Sequence, residues 1–263
     1  MKIAVCIKQV PAYSEGNMDE KTGLLIRTGL KSIVNVYDLA ALETALRIKA
    51  QEESCIDVYT MGPESAGQAI TESYALGADR GYLICDRAFA GADVLATSYT
   101  LMQAIQSQGS YDLILCGQQT TDGDTGQVSG ALAKWLGLPG YGGVKKLNIT
   151  GKENIRIVQD MGVQMLHWEI KGPCLIAVDR QIYTPRMPSL KLRMRAKRKE
   201  ITTITLQDLE DQDNRHYGLK GSATRVREIF PPERTGKREV QYPEAETAAG
   251  LILETVMNHQ EAG

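Results

Sequence analysis

The sequence predicts an α/β protein: a doubly wound, mostly parallel sheet with helices on both faces, followed by an extended C-terminal arm. Short apolar runs at 3–7, 56–60, 80–85 and 113–116 have the length and bounded character of buried strands. A stretch of helical periodicity separates each run from the next, which makes βαβ units and a parallel sheet. The loops after residues 7, 60 and 116 then fall at the carboxyl ends of strands, where such sheets bind ligands at a topological switch point.

Taken in order, the first strand leaves through Lys8 and Pro11 into a polar, turn-rich stretch read as a hairpin around Thr22-Gly23. Asn35 or Asp38 then caps a helix whose apolar stripe is Leu39, Leu42, Ala45 and Leu46. Met61-Gly62-Pro63 breaks the second strand, and a helix over 65–76 stops at Gly77. A third helix over 92–105 is spaced by Val94, Leu95, Tyr99, Leu101 and Met102. After the fourth strand, Val128, Leu132, Trp135 and Leu136 recur at helical spacing, with Asp124 or Thr125 as the expected cap. Strands follow at 145–149 and 154–158, antiparallel around Gly151-Lys152, and at 165–170 and 175–178. A proline-punctuated loop at 183–188 leads into a run with six basic residues among the nine from Lys191 to Lys199, either a solvated helix face or a docking patch. Residues 211–243 are expected to bury little and to lie on a partner chain. An amphipathic helix over 244–256 ends the chain. The expected division is a nucleotide-binding domain over 1–220 and an arm over 221–263.

Composition excludes several classes. Net charge is −2 and aromatic residues are 6% of the 263, so neither a basic surface nor a base-stacking platform indicates nucleic acid. No apolar run approaches the roughly 20 residues of a membrane span. The opening MKIAVCIKQVP has no secretory apolar core, and the cytoplasm is the expected location. The five cysteines form no CxxC pair and read as small buried hydrophobes, while the three histidines are widely separated, so neither a metal site nor a catalytic constellation is expected.

The stretch with chemistry in it is Tyr111 to Val128. A strand ends at Gly117; a polar loop of Gln118, Gln119, Thr120, Thr121, Asp122, Gly123, Asp124, Thr125, Gly126 and Gln127 follows; a helix begins near Val128. Unpaired N–H groups and partial positive charge at a helix start suit a phosphate, and glycines admit close backbone approach. The pattern is neither GxGxxG nor GxxxxGK[ST]. An ordinary strand-to-helix turn remains the plain alternative.

Five segments together resemble the β subunit of electron-transfer flavoproteins: Ile7-Lys-Gln-Val-Pro11, Asn35-Val36-Tyr37-Asp38, the Ala-Leu-Gly-Ala-Asp-Arg run at 75–80, the Gly-Gln-Gln-Thr-Thr-Asp-Gly-Asp-Thr-Gly-Gln run at 117–127, and Pro185-Arg186 with the basic run. The resemblance spans nearly the whole chain. It implies pairing with a larger α subunit that carries FAD. It implies an adenine nucleotide here, held by Cys6, Asn35, Val36, Tyr37, Asp38, Met61 and Gly117 to Val128. In the housekeeping branch of the family that nucleotide is AMP; in the bifurcating branch of anaerobes it is part of a second FAD, which takes electrons from NADH. Gly123 stands where the mitochondrial form has a third acidic residue, which leaves room for a pyrophosphate and favours FAD. Val36 and Ser129-Gly130 depart from the usual Pro and Gly-Pro.

The resemblance also implies a recognition loop for a flavin-dependent dehydrogenase, acyl-CoA or hydroxy-acid, anchored by Leu190 with Arg186, Met187 and Leu192 around it. Ferredoxin and NADH are the implied electron partners. A non-redox adenine-nucleotide binder is the alternative, with Asp122 and Asp124 as its only candidate hydrolytic carboxylates.

Overall fold

The computed structural model describes residues 1–12, 32–151, 154–225 and 242–260. In chain order its principal elements are β1 (Lys2–Cys6), β2 (Gln9–Pro11), β3 (Ser32–Val34), α1 (Val36–Gln51), β4 (Cys55–Met61), α2 (Gly67–Leu76), β5 (Arg80–Ile84), α3 (Val94–Ser107), β6 (Leu113–Gly117), α4 (Val128–Leu136), β7 (Gly140–Ile149), β8 (Asn154–Asp160), β9 (Met165–Lys171), β10 (Cys174–Val178), α5 (Leu190–Ala196), β11 (Thr202–Ile204), α6 (Gly218–Gly221) and α7 (Ala245–Gln260).

β1 lies at the centre of the main sheet. Ile3 and Val5 point into one layer and Ala4 into the other, all fully buried, as the two-residue period of a strand covered on both faces requires. The nine strands run in the order β11-β5-β4-β1-β6-β10-β7-β8-β9. Pairing is parallel from β11 to β7, and β7-β8-β9 extend the sheet as an antiparallel meander. Helices α1 and α2 cover one face with Leu42, Leu46 and Ile70. On the other face, α3 and α4 bury Leu101, Ile105 and Leu132. The chain builds β4 and β5 on one side of β1, then crosses to place β6 on the other, so the winding reverses beside β1.

Helix ends follow local chemistry. Gly77 ends α2 at φ 129° and Gly137 ends α4 at φ 68°, conformations only glycine adopts cheaply. The Asp93 carboxylate caps α3 through the Ala96 N–H. Among the described residues no helix is long and apolar enough to cross a membrane.

One expectation is corrected. Residues 211–217 do not lie loose: Tyr217 is fully buried against Phe89 and Tyr99, and its hydroxyl donates to the Asp211 carbonyl. Asp211 in turn accepts from the Tyr99 hydroxyl at 2.6 Å. One large aromatic ring thus docks a polar segment that has no apolar periodicity of its own. β11, within another polar stretch, adds to the sheet edge beside β5 through backbone pairing. The expected hairpin around Thr22-Gly23 lies outside the described residues, as do residues 226–241 of the arm.

Candidate functional site

The carboxyl ends of β1, β4, β5 and β6 surround a cavity of about 980 Å³ at the winding reversal. Its lining includes Cys6, Asp38, Met61, Gly117, Gln118, Gln119, Thr120, Gly123, Thr125, Gly126, Gln127 and Val128. The other residues expected there, Asn35, Val36, Tyr37, Thr121, Asp122 and Asp124, are not part of the lining. Several of them act from behind it. Asn35 donates to the Gln119 carbonyl at 2.8 Å, which ties the start of α1 to the loop after β6. Asp122 pairs with Lys8 at 2.7 Å, and Asp124 accepts from the Gln119 amide at 2.6 Å.

Gly117 permits the closest approach in the site. A Cβ there would collide with the Asp38 carboxylate and would stand 2.7 Å from both Tyr37 Cβ and its carbonyl carbon. Only a missing side chain lets α1 seat its first turn on the end of β6. The loop then turns back on itself: Asp124 has φ 51° and Gly126 φ 62°, and the Asp124 N–H donates to the Thr120 carbonyl. The Gln118 backbone N–H donates to Val178, and its side chain accepts from the Gly143 N–H, so the loop is fastened to β10 and β7.

α4 differs from the expected capping. Its N-cap is Gln127, not Asp124 or Thr125, and no side chain among the described residues caps it. Asp124 is turned aside to Gln119, which leaves the first-turn N–H groups at Val128 and Ser129 without an intramolecular cap where both residues line the cavity. An uncapped helix start with glycines before it is a donor set for an anion. Asn35 Oδ1 and Thr60 Oγ1 are buried with no hydrogen-bond partner among the described residues, Thr60 being the penultimate residue of the strand that ends at Met61.

Burial pushes the Asp38 carboxyl up to about 7, against the Asn35 side chain, the N–H groups of Lys8 and Gly117 and the Lys8 charge. Partial burial also pushes Asp122 up, but the Lys8 ammonium and Thr120 outweigh it and hold that carboxyl below the usual range. The folded protein therefore keeps a proton on Asp38 where the unfolded chain has lost it. That stabilisation is full below the ordinary value of 3.8 and is lost as pH rises to about 7. The span corresponds to roughly 4 kcal/mol. Asp38→Asn should flatten the fall in urea-unfolding stability between pH 4.5 and 7.5; an unchanged slope would show that Asp38 does not titrate there.

The cavity also takes in Lys8 and Gly62 to Glu64, from two of the loops expected there, and residues the sequence reading passed over: Ile84 to Arg87, Phe89 to Val94, Thr97, Leu101 and Ser129. The signal for most was present. The loop after β5 is another carboxyl-end loop, subject to the same rule as the three that were chosen.

The partner-recognition residues lie elsewhere. Met187 is 85% and Leu190 76% exposed, and Leu192 is half-buried. Arg186 stays at the surface, its side chain 41% exposed, with its guanidinium held bidentately by buried Glu43 at 2.8 and 3.1 Å. Against the upward push of burial, Arg186 and Arg47 hold the Glu43 carboxyl low. The basic run forms α5 and leans on α2. Lys199 stacks over Tyr74 and donates to the Ala78 and Asp79 carbonyls, while Lys191, Arg193, Arg195, Lys197 and Arg198 are exposed.

Comparison with known proteins shows the family. A family profile described as the electron transfer flavoprotein domain matches residues 22–209. The electron transfer flavoprotein subunit beta of Thermoanaerobacterium thermosaccharolyticum is 41% identical over 98% of this chain and 96% of the relative. Protein FixA of Bradyrhizobium diazoefficiens is 37% identical, over 97% of this chain and 91% of the relative. The caffeyl-CoA reductase-Etf complex subunit CarD of Acetobacterium woodii is 38% identical, over 96% and 97%. On its segment motifs, its switch-point cavity and these matches along nearly its whole length, the chain belongs to the electron transfer flavoprotein family, among the β subunits.

Proposed function

We propose that the chain works in a heterodimer with an electron-transfer flavoprotein α subunit and holds an FAD in the switch-point cavity. In this reading the complex takes electrons from NADH and divides them between ferredoxin and a flavin-dependent dehydrogenase. The carrying observation is the cavity itself. At about 980 Å³ it stands at the upper end of the roughly 300–1,000 Å³ of small-molecule sites. It also runs on past the nucleotide loop to Ile84, Phe89 and Leu101. AMP alone would occupy only the loop end.

The residues fit the group. The uncapped first turn of α4 and the glycines at 123 and 126 present N–H groups to a pyrophosphate, with the Lys8 charge beside them. Apolar Met61, Ile84 and Phe89 offer faces to an aromatic ring system and keep water off it. Asp38 fixes Lys8 and Gly117 against each other beneath the site. When bound, the flavin supplies the exchange between two-electron and one-electron transfer, and the chain contributes binding, orientation and exclusion of solvent.

Two exposed apolar surfaces suit the partners. On α7, Ile252, Leu253, Val256 and Met257 are all more than half exposed, a helix face fit to pack on another chain. Met187 and Leu190 suit an apolar pocket on the dehydrogenase, and the exposed cations of α5 would steer the encounter. Leu190→Ala should lower electron delivery to the dehydrogenase by about 10–30-fold, the effect of a hot-spot anchor, with bound flavin unchanged. Loss of flavin with delivery intact would reverse the assignment of the two regions.

Anaerobic turnover tests the reading as a whole. With NADH, the complex should reduce ferredoxin only when the dehydrogenase and its acceptor are also present. Failure to oxidise NADH under those conditions would leave the chain a structural subunit holding AMP.

A further inference from the structure

Of the free cysteines, two meet at the floor of the cavity. Val5 pairs in register with Leu115 across the parallel β1-β6 ladder, so the next residues along, Cys6 and Cys116, are direct neighbours. They share a sheet face: Cys116 belongs to the core layer of α3 and α4, and Cys6 packs against that layer. Neighbouring strands lie about 4.8 Å apart, within the roughly 4.4–6.8 Å between Cα atoms that a disulfide spans. Both residues line the cavity; Cys6 is half-buried and Cys116 is 5% exposed. Among the other cysteines, Cys85 also lines the cavity but follows β5, with β4 standing between it and β1, so it lies beyond disulfide reach of Cys6; Cys55 lies at the opposite, amino-terminal end of β4, and Cys174 is fully buried at the start of β10.

We infer that Cys6 and Cys116 form an oxidative modification site, closing to a reversible disulfide across the cavity floor when a peroxide reaches the cavity. The more open Cys6 reacts first. Its sulfur bonds to one peroxide oxygen as the O–O bond breaks, which leaves a sulfenic acid and one water. The Cys116 sulfur then displaces that oxygen: the S–S bond forms, the S–O bond breaks, and the thiol proton leaves with a second water. Two thiols lose two electrons in all, and one peroxide is reduced to two waters. The Cys6 thiol beside it, together with burial, pushes the Cys116 thiol up, which makes Cys116 the poorer first target and suits it to the second step. Neighbouring placement offsets its low thiolate fraction. The closed bond would join the strands that lead into Lys8 and Gly117, the two backbone positions gathered on Asp38.

The full chain, reduced and desalted, would be treated with a slight excess of hydrogen peroxide, denatured in a thiol-blocking reagent and digested. The expected result is a fall from five titratable thiols to three, with a cross-linked peptide containing Cys6 and Cys116 that dithiothreitol removes. Cys116→Ser should keep the sulfenic acid on Cys6 and form no cross-link. Retention of all five thiols, a link between any other pair, or oxidation of Cys6 in the native chain that stops short of a disulfide would overturn the inference.

Discussion

Gly117→Val is expected to cost more than about 3 kcal/mol, beyond the usual range for an overfilled core, and to lower the melting temperature by more than roughly 6 °C. The added carbons would enter space held by the Asp38 carboxylate and by Tyr37 backbone and Cβ. Backbone cannot swing aside as a flexible side-chain end can, so either α1 must lift from β6 or the loop must shift. Either movement breaks the gathering of Lys8 and Gly117 on Asp38. Gly130 provides the contrast. It lies in the first turn of α4, and a Cβ there would meet nothing within 4 Å among the described residues. Gly130→Ala should therefore leave stability unchanged or raise it by up to about 1 kcal/mol. Thermal unfolding of the two variants separates a positional requirement from a general dislike of side chains. If Gly117→Val melts with the parent, the seating of α1 on β6 is not as tight as the geometry requires.

Thr125→Trp has the other large effect, this one on the site and not on the fold. Thr125 is exposed and lines the cavity, so an indole there displaces no core atom while it fills the space beside the start of α4. Nucleotide retained through purification should drop at least tenfold, a loss of about 1.4 kcal/mol or more of binding. Far-ultraviolet circular dichroism and melting should stay close to those of the parent. Full nucleotide content in that variant would remove the loop from the binding site.

The parts of this structure that were legible in sequence are those set by local pattern. Buried strands such as 113–116 are short, apolar and bounded, and α2 ends where Gly77 allows a positive φ. The winding follows from alternation, and the site's place follows from the winding. What was not legible depends on distant partners. Asp124 looks like a cap in sequence, yet its carboxylate is taken by Gln119, and α4 starts uncapped at Gln127. Arg186 reads as one more free surface cation, and only Glu43, far away on α1, ties its guanidinium down. Tyr217 is a single aromatic in a polar stretch, buried because Phe89 and Tyr99 present a surface for it. The meeting of Cys6 with Cys116 needs the β1-β6 register, which no local pattern contains.

The central claim, that this cavity holds a flavin, is tested most directly by nucleotide content. The chain would be co-expressed with its α subunit, the purified heterodimer denatured, and the released nucleotides identified by mass and absorbance. Two FAD per heterodimer are predicted, one of them lost in Thr125→Trp. One FAD with one AMP would contradict the claim while keeping the nucleotide loop, and the absence of any adenine nucleotide beyond the α subunit's own would contradict the loop as well.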